Sequence, residues 1–500
     1  MRLRKLAVAA LCGALVMSTV ACGKNDVNET ESTDTSVSAS VEGNQEPVEP
    51  EADAEPETEA EEMVQKGGRQ VIVYYPNWDL SEKEAMAGGE VASIAWDYVT
   101  IINHAFFEPY PNDGTTDSTF DWRAAGKEPR TQFACVSTSP KDDFEDETPS
   151  AVNGEPRNHF NQYKIYSEQY PDVRIMLSVG GWTASGFFSE MAYTEEGRKS
   201  FIDSCVDLMK EYSFIGGIDI DWEYVAGSPD GERYPEDDID QGCPVWGTPA
   251  EDNANFTALL KEMRDTFNRE FGEGEKLITS CASGSTGWTL PCQDWLSFEP
   301  YLDYINIMTY DLAGKWDGVT GHASSENLTK GALAYFFTKG VDGSKLNIGS
   351  PMYATWFKIA GDTFPKYAVN APIDKEAVWT GIPTTITETQ SWEKESVKGY
   401  SYSIVDGRYK MGEAYDNSEE GTITGWNFGF DKKGATYLYN NDPDSPYYMW
   451  YASYENPVSL QLKLDMIEKY NLAGIIVWES TQDSEGHLMI NWMGEFLNEK

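Results

Sequence analysis

Gly216-Gly-Ile-Asp-Ile-Asp-Trp-Glu-Tyr224 is the most informative stretch of the chain. Asp219, Asp221 and Glu223 alternate with Ile218, Ile220 and Trp222. On a β-strand the three acids therefore share one face, about 6–7 Å apart in succession, and the apolar residues share the other. The large apolar residues between the acids argue against a solvated edge strand. Three carboxyls on a buried strand are ruinous as scaffolding, because desolvated like charges cost several kcal/mol. Crowding them has one chemical use: it raises the pKa of one carboxyl until it keeps a proton at neutral pH.

Short β-branched and aromatic runs recur on either side of this strand, at 71–75, 98–106, 173–179, 215–223, 277–282, 304–310, 346–353 and 473–478. Amphipathic helical patterns such as 200–212, 255–271 and 458–470 lie between several of them. Eight strands alternating with helices predict an α/β fold of parallel βα units, closed as a (β/α)8 TIM barrel. A doubly wound open sheet would normally carry a Gly-rich phosphate turn after its first strand, and none follows 71–75. About a hundred residues separate the seventh and eighth strands, far beyond an ordinary loop. An inserted α+β subdomain is expected there, at about 357–456.

The N-terminal segment reads as an export signal. Met1-Arg-Leu-Arg-Lys5 is a cationic head, and 6–20 is an apolar stretch too short for a stable membrane span. It runs into Ala21-Cys22-Gly23-Lys24, which resembles a bacterial lipobox, with Thr19 where that motif prefers Leu or Val. Residues 1–22 are thus expected to be a lipoprotein signal peptide with Cys22 as the lipidated residue; ordinary cleavage near Ala21 is the alternative. Residues 23–66 carry Asp or Glu at fourteen positions and no aromatic residue. Such a stretch cannot bury enough apolar surface to offset its ordering entropy, so it is expected to be a disordered acidic linker ahead of a barrel over 67–500.

The formal net charge of −45 argues against nucleic acid and anionic lipid as partners. Any membrane contact would run through the Cys22 anchor, placing the protein on the extracellular face of the cell membrane or, without the anchor, in the medium. Five cysteines follow Cys22, at 135, 205, 243, 281 and 292, and the four histidines are scattered singly. No spacing among them suggests zinc, and neither a metal nor a cofactor is expected. Cys281 and Cys292 could bridge, but buried thiols fit at least as well.

The acidic strand resembles the signature of the family 18 glycoside hydrolases, Asp-x-x-Asp-x-Asp-x-Glu on barrel strand four. It keeps three of the four acids and has Gly216 where the family has its first Asp. By strand parity Gly216 faces away from the other three. Further likenesses follow in barrel order: Val73-Tyr-Tyr-Pro-Asn-Trp78, Ala105-Phe106, Ser178-Val-Gly-Gly-Trp182, Met308-Thr-Tyr-Asp311, Gly349-Ser-Pro-Met-Tyr353 and Gly474-Ile-Ile-Val-Trp478. The stretch 312–322 continues the match to chitinases in particular.

The resemblance implies an endo-acting chitinase that hydrolyses β-1,4-linked N-acetylglucosamine by substrate-assisted retaining catalysis. It assigns Glu223 as general acid and Asp221 as the group that orients the acetamide. Asp219 shares a proton with Asp221, and Tyr310 donates its hydroxyl to the acetamide. Tyr74, Trp78, Phe106, Trp182, Met308, Asp311, Tyr353 and Trp478 match the family's sugar-contacting positions. Chitin or chitooligosaccharide is the expected partner, and the protein is expected to be a monomer. Two other readings stay open: an endo-β-N-acetylglucosaminidase acting on glycoprotein glycans, and a non-hydrolytic glycan-binding lipoprotein. Inactive relatives usually lack the signature Glu, which is present here.

Overall fold

The computed structural model describes residues 68–78, 80, 89–227, 243–378, 402–405, 408–411, 426–483 and 486–498. The signal and linker expected over 1–66 lie outside the described residues. Eight parallel strands close on themselves: β1 (Gln70–Pro76), β2 (Ile101–Pro111), β4 (Arg174–Gly180), β5 (Ile215–Asp221), β6 (Leu277–Ser283), β7 (Tyr304–Met308), β8 (Leu346–Pro351) and β15 (Gly474–Trp478). Pairing runs β1-β15-β8-β7-β6-β5-β4-β2, and β2 pairs back to β1. This is the predicted (β/α)8 barrel.

Helices between the strands cover the outside of the barrel, and their ends follow local chemistry. Helix Pro249–Phe271 opens on a capping box between Thr248 and Glu251, with Pro at its first turn. It stops at Gly272, whose φ of 107° suits only glycine. Its buried residues Phe256, Leu259, Leu260, Met263 and Phe267 fall at helical spacing on one face. The main core therefore lies between strands and helices. Trp222 is buried in it, stacked on Phe188 at 5.3 Å and edge-on to Phe256 at 5.6 Å. A large buried aromatic of this kind is worth roughly 3–5 kcal/mol. A second, smaller cluster fills the barrel itself: Ile72, Tyr74, Ile101, Ala105, Phe106, Met176, Tyr310 and Ile476.

The structure corrects several strand ends. Strand four stops at Asp221, so Glu223 stands on the turn beyond it, where Ser185 Oγ accepts the Glu223 N–H at 3.0 Å. Strand six stops at Met308 and leaves Tyr310 and Asp311 on the following loop. Strand two runs on to Pro111 and pairs antiparallel with a strand the sequence reading did not contain, β3 (Phe133–Ser137). The insertion between strands seven and eight holds β9 (Thr355–Lys358), β10 (Tyr402–Val405), β11 (Arg408–Met411), β12 (Asn427–Asp431), β13 (Ala435–Tyr439) and β14 (Trp450–Tyr454). Four of these form an antiparallel sheet in the order β12-β13-β14-β9. The described part of the insertion contains no helix.

Candidate active site

Asp219 and Asp221 project into the barrel from β5, opposite Ser178 and Gly180 of β4. Asp219 is fully buried, and a buried carboxylate needs donors on both oxygens. Tyr74 (2.9 Å) and Ser178 (3.0 Å) donate to Oδ2, while Thr279 and Asn306 (3.2 Å) donate to Oδ1. Asn347 holds Asn306 in turn, donating to its Oδ1 at 3.0 Å. Ser178 Oγ also lies 3.0 Å from Asp221 Oδ2, so one hydroxyl bridges both aspartates. Asp221 Oδ1 is buried and, among the described residues, has no hydrogen-bond partner.

Burial dominates the proton balance. It pushes Asp221 well above the usual carboxylate range, helped by the neighbouring charges of Asp219 and Glu223. Burial raises Asp219 too, against the pull of its hydrogen bonds. Two such groups in contact hold a proton between them at neutral pH. Burial lifts Glu223 to about 7, opposed by a hydrogen bond from Tyr224 and assisted by the charge of Asp311. Near neutrality Glu223 is thus poised to give a proton away.

Two glycines set the approach of β4 to these acids. A Cβ at Gly180 would lie 2.3 Å from the Asp221 carbonyl oxygen, and one at Gly181 would lie 2.5 Å from the Phe106 ring; both have positive φ. Phe106 stacks on Trp478 (5.6 Å, 18° between planes), and Trp78 flanks both rings at 6.2 and 6.4 Å. Tyr74 (5.7 Å from Trp478), Met308 and Tyr310 pack into the same group. Tyr353 donates to Asp311 Oδ1 at 2.7 Å and meets the Tyr310 ring edge-on at 6.5 Å. These residues gather around the acids. Trp182 lies beside Trp288 (6.4 Å), which in turn meets Tyr224 at 5.4 Å.

Sequence reasoning missed several residues of this site. Thr279, Asn306 and Asn347 sit on strands whose runs read as core. Trp288 follows strand five in a stretch with no motif. The histidines, scattered in sequence, also converge: His104 and His159 meet Asp143 in a fully buried group.

A proton kept at neutral pH beside stacked aromatic rings is what cleavage of a sugar chain asks of a barrel, and the class is that of the barrel glycoside hydrolases. The chain belongs to one family of them in particular, the glycosyl hydrolases family 18, whose sequence model matches residues 70–483. It is similar to Chitinase ChiA of Flavobacterium johnsoniae, 27% identical over 465 residues, and to Chitinase A1 of Niallia circulans, 26% identical over 445. These alignments cover 84% and 83% of this chain but only 27% and 56% of the relatives, so the chain spans little more than half of either at best. A Group IV chitinase of Ostrinia furnacalis, solved in complex with allosamidin, shares the fold with a TM-score of 0.59 at 22% identity. That likeness covers 86% of this chain and 99% of the other.

Proposed function

We propose that this chain is an endo-acting chitinase that hydrolyses β-1,4-N-acetylglucosamine linkages by substrate-assisted retaining catalysis. The observation that carries the reading is the buried trio: Glu223, whose carboxyl pKa is lifted by burial to about 7, beside an Asp219–Asp221 pair whose Asp221 Oδ1 is left unpartnered. Glu223 protonates the leaving glycosidic oxygen. Asp221 Oδ1 accepts the acetamide N–H, which aims the acetamide oxygen at the anomeric carbon, and its charge stabilises the resulting oxazolinium. Asp219 takes up the proton that the pair shares. Tyr310 donates its hydroxyl to the acetamide. Trp478, with Phe106, Trp78, Tyr74, Met308, Asp311 and Tyr353, offers flat apolar faces and polar edges to successive sugars, and Trp182 extends the aromatic surface on the strand-three side. The names of the curated relatives favour chitin over glycoprotein glycans, and the intact Glu223 speaks against a purely binding role.

The test is digestion of chitohexaose beside a high-mannose glycopeptide across a pH series. Shorter chitooligosaccharides of retained anomeric configuration are expected, with the glycopeptide untouched. Because Glu223 must carry its proton in the free enzyme, kcat/KM should fall as pH rises through about 7. Release of the glycan with chitohexaose intact would overturn the chitin assignment. A rate that stays flat to pH 9 would remove Glu223 as the acid.

The export signal and the Ala21-Cys22-Gly23 motif support an enzyme tethered by lipid at Cys22 to the outer face of the cell membrane. Among the described residues no helix is long and apolar enough to cross a membrane. Cys22→Ala is expected to move the protein from the membrane fraction into the medium with its specific activity unchanged, as read by fractionation and immunoblot. Wild-type protein found free in the medium with an unmodified N-terminus would sink the anchor.

A further inference from the structure

Phe106 occupies an irregular position in the barrel. On β2, Ala105 pairs with Ser178 and Phe107 with Val179 of β4, so Phe106 is an extra residue bulged out of the ladder. A bulge turns a side chain toward a site and strips its backbone of ladder partners. Here the Asn77 side chain replaces them, together with Thr138, whose N–H (3.1 Å) and hydroxyl (2.7 Å) also reach the Phe106 carbonyl. Asn77 Oδ1 accepts the Phe106 N–H at 3.1 Å, and Asn77 Nδ2 donates to the Phe106 carbonyl at 2.9 Å. Only one orientation of the Asn77 amide satisfies both; a flipped amide would oppose oxygen to oxygen and N–H to N–H.

Asp143 selects that orientation from the Nδ2 side, and the Thr138 hydroxyl, 3.1 Å from Asn77 Oδ1, favours it from the other. Asp143 Oδ2 accepts Asn77 Nδ2 at 3.1 Å and also the Ser137 hydroxyl. Its Oδ1 accepts His104 Nε2 and His159 Nδ1, each at 2.8 Å. His104 Nδ1 is closed by the Tyr163 hydroxyl at 3.0 Å. Asp143, His104 and His159 are wholly buried, among the rings of Tyr75, Phe107 and Phe160. Burial alone would push the Asp143 carboxyl up, but the two imidazoles and their hydrogen bonds hold it well below the usual range. An ionised carboxylate only accepts hydrogen bonds, so it admits the NH2 end of Asn77 and refuses the oxygen.

We infer that the buried His104–Asp143–His159 group positions Phe106, and through it the sugar-stacking floor, by locking the amide of Asn77. Asp143 is a positioning residue outside the catalytic trio. The inference rests on the chitinase reading for its kinetic consequence but not for its structural one.

Asp143→Asn keeps the shape and removes the charge and the acceptor-only character, so the lock on Asn77 opens. Near-ultraviolet circular dichroism of the Phe106–Trp478–Trp78 stack reads this without any substrate. Asp143→Asn and Phe106→Ala are each expected to diminish the same aromatic band, and the double variant should lose no more than Phe106→Ala alone. With chitohexaose, Asp143→Asn should raise KM about tenfold while kcat stays within about twofold, because a misplaced floor weakens ground state and transition state together. In the Phe106→Ala background the same change should leave KM unmoved. If Asp143→Asn does not fold, Asn77→Ala cuts the link directly and should give the same band loss and the same silence. A wild-type band in both variants, or penalties that add in full to that of Phe106→Ala, would overturn the inference. So would one equivalent of transition metal per chain by elemental analysis, since the three side chains would then be ligands. An inactive wild type with the expected band pattern would defeat the chitinase reading and leave the positioning role standing.

Discussion

Glu223→Gln is expected to lower kcat on chitohexaose by about 10²–10⁴-fold while leaving oligosaccharide binding near that of the wild type. The amide keeps the size and hydrogen-bonding reach of the carboxyl but has no proton to transfer. The aromatic floor at Trp478 and the unpartnered oxygen of Asp221 are untouched, so affinity measured by calorimetry should survive. A fluorogenic aryl chitobioside, whose leaving group departs without protonation, should recover much of the lost rate. Stability gives a second readout. Burial raises Glu223 from 4.5 to about 7, so the folded state holds the proton more tightly than the unfolded chain. Stability from this group is complete below pH 4.5 and declines as pH rises to about 7. Glu223→Gln removes that decline and should be more stable than the wild type at pH 8 by up to about 3 kcal/mol, with no such gain at pH 4. Full activity of the variant on chitin would overturn the mechanism.

The barrel was legible because parallel strands covered on both faces read as continuous apolar runs. That property located 71–75 directly; 277–282 and 346–353 keep the apolar pattern but are broken by Thr279 and Ser280 and by Asn347 and Ser350. The acids were legible for the opposite reason: Asp219 and Asp221 break such a run, and only chemistry explains the cost. Strand ends were not legible. Glu223 continues the alternation on paper, but Ser185, far off in sequence, takes its N–H and draws the backbone out of the ladder. Strand β3 is a five-residue piece whose pairing with β2 is fixed by tertiary contact.

Polar residues supporting the site were hidden by distance along the chain. Asn306 and Asn347 look like polar interruptions of core strands until their chain of hydrogen bonds to Asp219 is seen. The histidines were read as scattered and unconnected, yet His104 on β2 and His159 at the start of helix His159–Gln169 converge on Asp143 from separate elements. No spacing rule finds such a group, because nothing local holds it together. Trp288 was missed for the same reason: its neighbours Trp182 and Tyr224 come from two other strand ends.

Asp221→Asn is expected to cost about 10²–10³-fold in kcat by a route that a better leaving group does not bypass. Asp221 is buried between Asp219 and Glu223 and shares the Ser178 hydroxyl with Asp219. In the proposed mechanism its free oxygen receives the acetamide N–H, and its charge balances the positive oxazolinium as that ring closes. An asparagine presents either a neutral oxygen or an N–H there. The first orients the acetamide without stabilising the charge, and the second repels its N–H. Neither defect concerns protonation of the leaving oxygen. The loss should therefore be of similar size on chitohexaose and on the aryl chitobioside, whereas Glu223→Gln is rescued on the latter. The comparison is the ratio of kcat on the two substrates for each variant. A rescue of Asp221→Asn as large as that of Glu223→Gln would mean that both residues act on the same proton, and the separate role assigned to Asp221 would fall.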